Sequence, residues 1–127
     1  MNDDARRPFV VRLARAFLYA WRGIMVVSRD RMLRIQLLAA IVVVAMAAWL
    51  KVSRVEWAIL MLTVGAVLAL EAMNTAVEAV VDLAMPERHP LAARAKDAAA
   101  GAVLIAAIAA SAVGLFILGP RLWAWLT

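Results

Sequence analysis

The chain has 127 residues, 67% of them hydrophobic and 18% charged, with a formal net charge of +5. Such an apolar share excludes an ordinary soluble domain, and an arginine-rich basic balance suits an anionic lipid surface. With no cysteine there is neither a disulfide nor a thiolate metal centre, and no nucleic-acid-binding motif accompanies the charge.

The N-terminus does not read as a cleaved signal peptide, because Asp3 and Asp4 come first and no short apolar core with a small-residue cleavage site follows. Residues 9–33 predict an amphipathic helix. Arg12, Arg15, Tyr19, Arg22 and Arg29 fall along one side, and Leu13, Phe17, Ala20, Ile24 and Val27 along the other. Such a helix lies flat on a bilayer, with a break expected near Ser28-Arg29-Asp30. It reads equally as a plain membrane anchor.

Three apolar stretches follow. The first span is predicted over about 33–50, where Arg34 can snorkel and Lys51 marks the end. The second is predicted over about 57–84. It spans only if the helix continues past Glu71, and Ala72, Met73, Ala76, Val77, Ala79, Val80 and Val81 keep its other face apolar. The third is predicted over about 97–118, stopped by Gly119-Pro120. The expected fold is all-α and integral to the membrane: three spans plus an N-terminal surface helix, in a single domain over 1–127.

Charge asymmetry sets the expected orientation. Arg6, Arg7, Arg12, Arg15, Arg22, Arg29, Arg31 and Arg34 precede the first span. The loop between the first two spans has Lys51 and Arg54, and the next has Arg88, Arg94 and Lys96. The N-terminus and the second loop are therefore expected in the cytoplasm. Trp49, Trp57, Trp123 and Trp125 would form an aromatic belt on the other side.

The stretch Glu71-Ala-Met-Asn74-Thr-Ala-Val-Glu78-Ala-Val-Val-Asp82 carries the chemistry. Steps of three, four and four put its acids and amide on one helix face, in a row roughly 16 Å long. Ionisable groups at membrane depth are costly and mark functional sites. The expected topology brings this stripe to the same interface as Asp30, Glu87-Arg88-His89 and Arg94-Ala95-Lys96-Asp97. Clustered carboxylates need a cation or proton between them, and oxygen ligands suit a hard ion such as magnesium. Lysine and arginine suit phosphate oxygens. Together they suggest phosphoryl transfer from a nucleotide, with Glu71, the deepest acid, taking the proton of a lipid hydroxyl. Neither a G-x-x-x-x-G-K-[ST] loop nor a protein-kinase motif set is present.

Structural readings stand beside these. Asn74 alone would more often join helices than catalyse, and His89 beside Pro90 would more often be plain surface. Gly65, Gly101 and Gly114 read first as close-packing sites. An ion-coupled small membrane transporter subunit is the alternative from another class, because intramembrane acids also line ion paths. A structural assembly subunit is a third.

The acidic string, the run Ala95-Lys96-Asp97-Ala-Ala-Ala-Gly101-Ala-Val-Leu and Tyr19-Ala-Trp21-Arg22-Gly23 together resemble the prokaryotic diacylglycerol kinase family, which includes the undecaprenol kinases. The resemblance runs from about Arg12 to the third span. It implies a homotrimer in the bacterial inner membrane, multi-pass, with active sites at subunit boundaries on the cytoplasmic side. It implies ATP as co-substrate, Mg2+ as cofactor and a lipid alcohol, undecaprenol or diacylglycerol, as acceptor. By position, Glu71 is the catalytic base and Asn74 arranges it and the reacting groups. Glu78 and Asp30 hold magnesium, and Lys96 contacts the transferred phosphate with Asp97 beside it. Arg12, Tyr19, Glu87, Arg88 and His89 line the nucleotide. Asp82 matches a family acid with no role fixed by the resemblance.

There are departures. Asp30 stands where the family has Glu, and Met32 and Gln36 stand where relatives often have Asn and His. Val55-Glu56-Trp57, Glu87-Arg88-His89-Pro90-Leu91 and Ala98-Ala-Ala-Gly101 look closer to the undecaprenol kinase branch.

Overall fold

A computed structural model describes residues 8–127 as four helices: α1 (Phe9–Val27), α2 (Arg31–Trp49), α3 (Arg54–Ala84) and α4 (Pro90–Leu126). Asp3, Asp4, Arg6 and Arg7 lie outside the described residues. No strand occurs among the described residues. α2, α3 and α4 are each long and apolar enough to cross a membrane. They run in alternating directions, so one end of the molecule carries Trp49, Ser53 and Arg121 and the other carries Asp30, Asp82 and Lys96. We call these the tryptophan end and the acid end.

α1 has no buried residue; Phe17 and Ile24 on its apolar side are exposed at 70% and 57%. Within one chain an amphipathic helix keeps that exposure only if lipid or another subunit covers it. It stops at Val27, where the Ser28 N–H donates to the Ile24 carbonyl at 2.8 Å and the Ser28 hydroxyl to the Met25 carbonyl at 2.8 Å. Residues 28–30 turn the chain, and the Asp30 carboxylate accepts from the Met32 N–H at 2.9 Å, capping α2. The break falls where the sequence placed it. Met32 and Leu33, however, belong to α2 and not to the surface helix.

The tryptophan end is packed and pinned. Ala47, Val52, Leu60 and Leu118 are buried together, with Val43, Trp57 and Ile117 packed around them. Ser53 and Glu56 form a capping box at the start of α3. Lys51 takes a positive φ of 51° in the tight turn before it, a backbone state that few side chains favour. Arg121 reaches from α4 to Glu56 at 2.6 Å and to the Leu50 and Lys51 carbonyls at 3.5 and 3.4 Å. The Trp49 and Trp125 rings meet edge to face, with centroids 4.7 Å apart.

These contacts explain a correction. α4 does not end at Gly119-Pro120 but runs to Leu126. Proline fits the helical φ, and its missing N–H leaves only the Phe116 carbonyl without a helical donor. The Arg121 and Trp125 contacts hold the turns beyond it. α4 also starts earlier than residue 97. Pro90 occupies its first turn, and His89 Nδ1 accepts from the Leu91 N–H at 3.1 Å as the cap. Arg94, Lys96 and Asp97 therefore project from a helix, and the second loop shrinks to 85–89. Gly65, Gly101 and Gly114 are a further correction: a methyl group at any of them would meet nothing within 4 Å, so they are not close-packing sites inside this chain.

Candidate active site

The acid end holds the predicted residues, ordered along α3. At 37 residues α4 is about 55 Å long and at 31 residues α3 about 46 Å, so both are longer than a direct crossing of a hydrocarbon core of about 30 Å requires. Glu78 and Asp82 lie on the last turns of α3. Glu71 stays within the packed part.

Glu71 is buried, with 3% of its surface exposed, and is the buried charged residue among the described residues. Its Oε2 accepts from Gln36 Nε2 of α2 at 3.0 Å. That single donor leaves the other carboxylate oxygen for a further partner. Burial without a paired cation is a costly state for an acid.

One turn further, Thr75 links two elements. Its hydroxyl lies 3.3 Å from Asp30 Oδ2 and 3.2 Å from the Glu71 carbonyl. Asp30 thus caps α2 through one oxygen and touches α3 through the other. Thr75 and Glu78 stand three residues apart on the same face of α3, so Asp30 reaches the helix one turn before Glu78. Asn74 Nδ2 donates to Glu78 Oε1 at 3.0 Å, while Asn74 Oδ1 is buried without a partner. The sequence placed Asn74 beside the base; here its amide serves Glu78.

At the last turn of α3, Lys96 Nζ of α4 meets Asp82 Oδ1 at 2.5 Å. This contact gives Asp82 a position: it anchors the ammonium at the mouth of a cavity of about 630 Å³. Glu87, Arg88 and His89 line that cavity with Asp82 and Lys96. His89 spends Nδ1 on its cap and has Nε2 left for a ligand. Asp97 is exposed on α4 next to Lys96. Arg12 and Tyr19 remain exposed on α1, with the Arg22 guanidinium 6.0 Å from the Tyr19 ring centroid. Arg12 therefore joins the cavity only through the placement of α1, which touches α3.

A second cleft, of about 570 Å³, lies between α2, α3 and α4. Val43, Val64, Leu68, Leu115 and Leu118 line it, and Gln36 stands among its lining residues beside Glu71. The geometry thus gives a buried carboxylate next to an apolar cleft, a ladder of polar groups along α3, and a cavity with a lysine and an arginine at the ladder's other end. Such an arrangement can pass a proton from an amphiphile's hydroxyl while a polyanion is held at the surface.

No three His, Asp or Glu side chains among the described residues converge closely enough to form a metal cage. Magnesium does not need one. It is ordinarily held by one or two carboxylates, substrate phosphates and water. Asp30 and Glu78, both hard oxygen donors, fit that pattern by chemistry, and the unpaired Asn74 Oδ1 adds a further oxygen beside Glu78.

Sequence reasoning missed two members of the site. Thr75 lies inside the acidic string, four residues after Glu71, and could have been found as the one hydroxyl on that face. Gln36 stood out only as a departure from relatives; nothing in one dimension pairs it with a residue 35 positions away.

The prokaryotic diacylglycerol kinase family model matches residues 18–118. An undecaprenol kinase of Bacillus subtilis (strain 168) is 38% identical over 123 residues, covering 96% of this chain and 100% of that protein. A diacylglycerol kinase of Synechocystis sp. is 44% identical over 109 residues, 84% of this chain and 62% of the relative. The diacylglycerol kinase of Escherichia coli (strain K12) is 37% identical over 100 residues, 78% of this chain and 82% of that protein. With most of its length matched and its acidic string placed around one end of three apolar helices, the chain belongs to the prokaryotic diacylglycerol kinase family.

Proposed function

We propose that the protein is an ATP- and magnesium-dependent lipid kinase that phosphorylates undecaprenol or diacylglycerol to its monophosphate. The observation that carries this reading is Glu71, a carboxylate buried beside an apolar cleft and joined along α3 to a cavity that holds Lys96 and Arg88. The lipid hydroxyl oxygen bonds to the terminal phosphorus, the bond from that phosphorus to the departing ADP oxygen breaks, and the hydroxyl proton goes to Glu71. Lys96, released from Asp82, contacts the transferred phosphoryl group, with Asp97 beside it. Glu87, Arg88 and His89 in the loop, and Arg12 and Tyr19 on α1, bind the nucleotide. Asn74 positions Glu78 and the reacting groups. Bound magnesium, held by Asp30 and Glu78, would neutralise phosphate charge.

The protein is proposed to sit in the bacterial cytoplasmic membrane with its N-terminus and site on the cytoplasmic side, as the arginine bias supports. A homotrimer is proposed, and a neighbouring subunit's α1 would cover the open acid end. The transporter alternative finds no support in the cleft. Its lining holds no ionisable group, so the row of acids does not continue along it past Glu71.

The test is transfer of labelled phosphate from ATP to undecaprenol and to diacylglycerol by purified protein in lipid micelles. Transfer to at least one is expected, and folded protein that labels neither overturns the proposal. The dual role of Asp30 gives a sharper prediction. Asp30→Asn keeps an N-cap but loses the charge, so the Mg2+ concentration for half-maximal activity should rise about tenfold or more, with stability near wild type. Asp30→Ala should show the same rise and lose about 1 kcal/mol of stability as well. A magnesium titration and thermal unfolding of the two variants separate the roles; an unchanged magnesium requirement removes Asp30 from the metal site.

A further inference from the structure

Thr75 is unlike the other hydroxyls inside helices. Thr63 and Ser111 donate to the carbonyls of Ile59 and Ala107, four residues back, at 2.7 and 2.8 Å. That bond is the usual resting place of a helical hydroxyl. Thr75 makes it to Glu71 at a longer 3.2 Å, and its hydroxyl also lies 3.3 Å from Asp30 Oδ2. One proton is thus shared between a carbonyl of its own helix and a carboxylate 45 residues away. Asp30 in turn is held from two sides. Its Oδ1 accepts from the Met32 N–H of α2 at 2.9 Å, a single bond about which the carboxylate can still turn. The Thr75 contact sets its direction relative to α3, the helix that carries Glu78.

We infer that Thr75 is a positioning residue for the metal: its hydroxyl holds the Asp30 carboxylate towards α3, where Asp30 and Glu78 serve one hard divalent cation. This rests on the proposed function, in which those two acids hold magnesium. A carboxylate binds a metal only when deprotonated, and in that form it only accepts hydrogen bonds, so a hydroxyl is a partner that suits the metal-binding form. Hydrogen-bonded supports aim metal ligands, and losing one typically costs about 10–100-fold in metal affinity. At 3.3 Å, and with its proton shared, the Thr75 bond belongs at or below the bottom of that range. Thr75 itself moves no proton to or from substrate. Its effect on the metal passes through Asp30.

The test reads metal binding apart from catalysis. Mn2+, which shares magnesium's preference for carboxylate oxygen, is titrated onto proteoliposomes with a non-hydrolysable ATP analogue, and the sedimented metal is counted against empty vesicles. Thr75→Val keeps the shape of the side chain and removes its proton. It should raise the Mn2+ dissociation constant about five- to tenfold, and Thr75→Ala, which cannot overpack, should do the same. Thr75→Ser restores the hydroxyl and should return the constant to within about twofold of wild type. In an Asp30→Asn background Thr75→Val should change it by less than about twofold, because the carboxylate it supports is gone. In turnover, the Mg2+ requirement of Thr75→Val should rise while kcat at saturating Mg2+ stays within about threefold of wild type, a split that a general loss of folding would not give. Wild-type affinity in both Thr75→Val and Thr75→Ala overturns the inference, as does a serine variant as weak as the valine one. An equal loss in the Asp30→Asn background overturns it too, since Thr75 would then act by another route. If Asp30→Asn itself binds Mn2+ like wild type, Asp30 leaves the metal site and the inference falls with that part of the proposed function. Failure to phosphorylate either lipid, with Mn2+ still bound, overturns the kinase reading instead.

Discussion

Glu71→Gln is expected to lower turnover by about 10²–10⁴-fold while nucleotide binding survives. Glutamine has the size of glutamate and can still accept from Gln36 through its amide oxygen, so the packing around this buried position is kept. What it lacks is a lone pair basic enough to take the hydroxyl proton as the new bond to phosphorus forms. The loss is therefore in the transition state, and kcat should fall without a matching rise in KM for the lipid. The cavity assigned to the nucleotide is lined from Val81 to Lys96, beyond the next three turns of α3, and does not include Glu71. Turnover under saturating lipid and ATP, with nucleotide affinity by equilibrium dialysis, checks both halves. Wild-type turnover in this variant would reject Glu71 as the base.

Lys96→Met should cost about 10²–10³-fold in kcat, because it removes a cation aimed at charge that develops on the transferred phosphoryl group. That cation rests on Asp82. Both groups are partly exposed, so their ion pair contributes little to stability and the ammonium is free to exchange partners. Asp82→Asn should therefore cost much less than Lys96→Met, under about tenfold, since asparagine still accepts from the ammonium and only loosens its resting place. Steady-state kinetics of the two variants give the order. A larger loss in Asp82→Asn would mean that the carboxylate, not the lysine, meets the reaction.

Both predictions concern residues whose importance is visible in one dimension, whereas the contacts that define their tasks are not. The regular spacing of Glu71, Asn74, Glu78 and Asp82 follows from helical periodicity alone, so the stripe could be drawn on paper. Its partners could not. Glu71 meets Gln36 across 35 residues, Asp30 meets Thr75 across 45, and Lys96 meets Asp82 across a loop. The caps were partly legible. Ser53-x-x-Glu56 is a capping-box pattern, and Asp30 before a helical run reads as an N-cap. The structure adds a helix cap to each of two residues that the sequence offers for other tasks, Asp30 for the metal and His89 for the nucleotide or plain surface.

Taken alone, the sequence determined the solvent. Hydrophobic runs of bilayer length commit α2, α3 and α4 to lipid because every apolar residue adds its transfer free energy independently of its neighbours. It also determined which face of α3 carries the acids, because a helix fixes the angle between residues. Tertiary structure decided where helices end and which polar groups meet. Pro120 reads as a stop, yet α4 passes through it because Arg121 and Trp125 find partners on other elements. The bond from the Gln36 amide to Glu71 exists only once α2 lies against α3. Local periodicity is additive along the chain, whereas a hydrogen bond between distant residues depends on the packing angle of the helices that carry them.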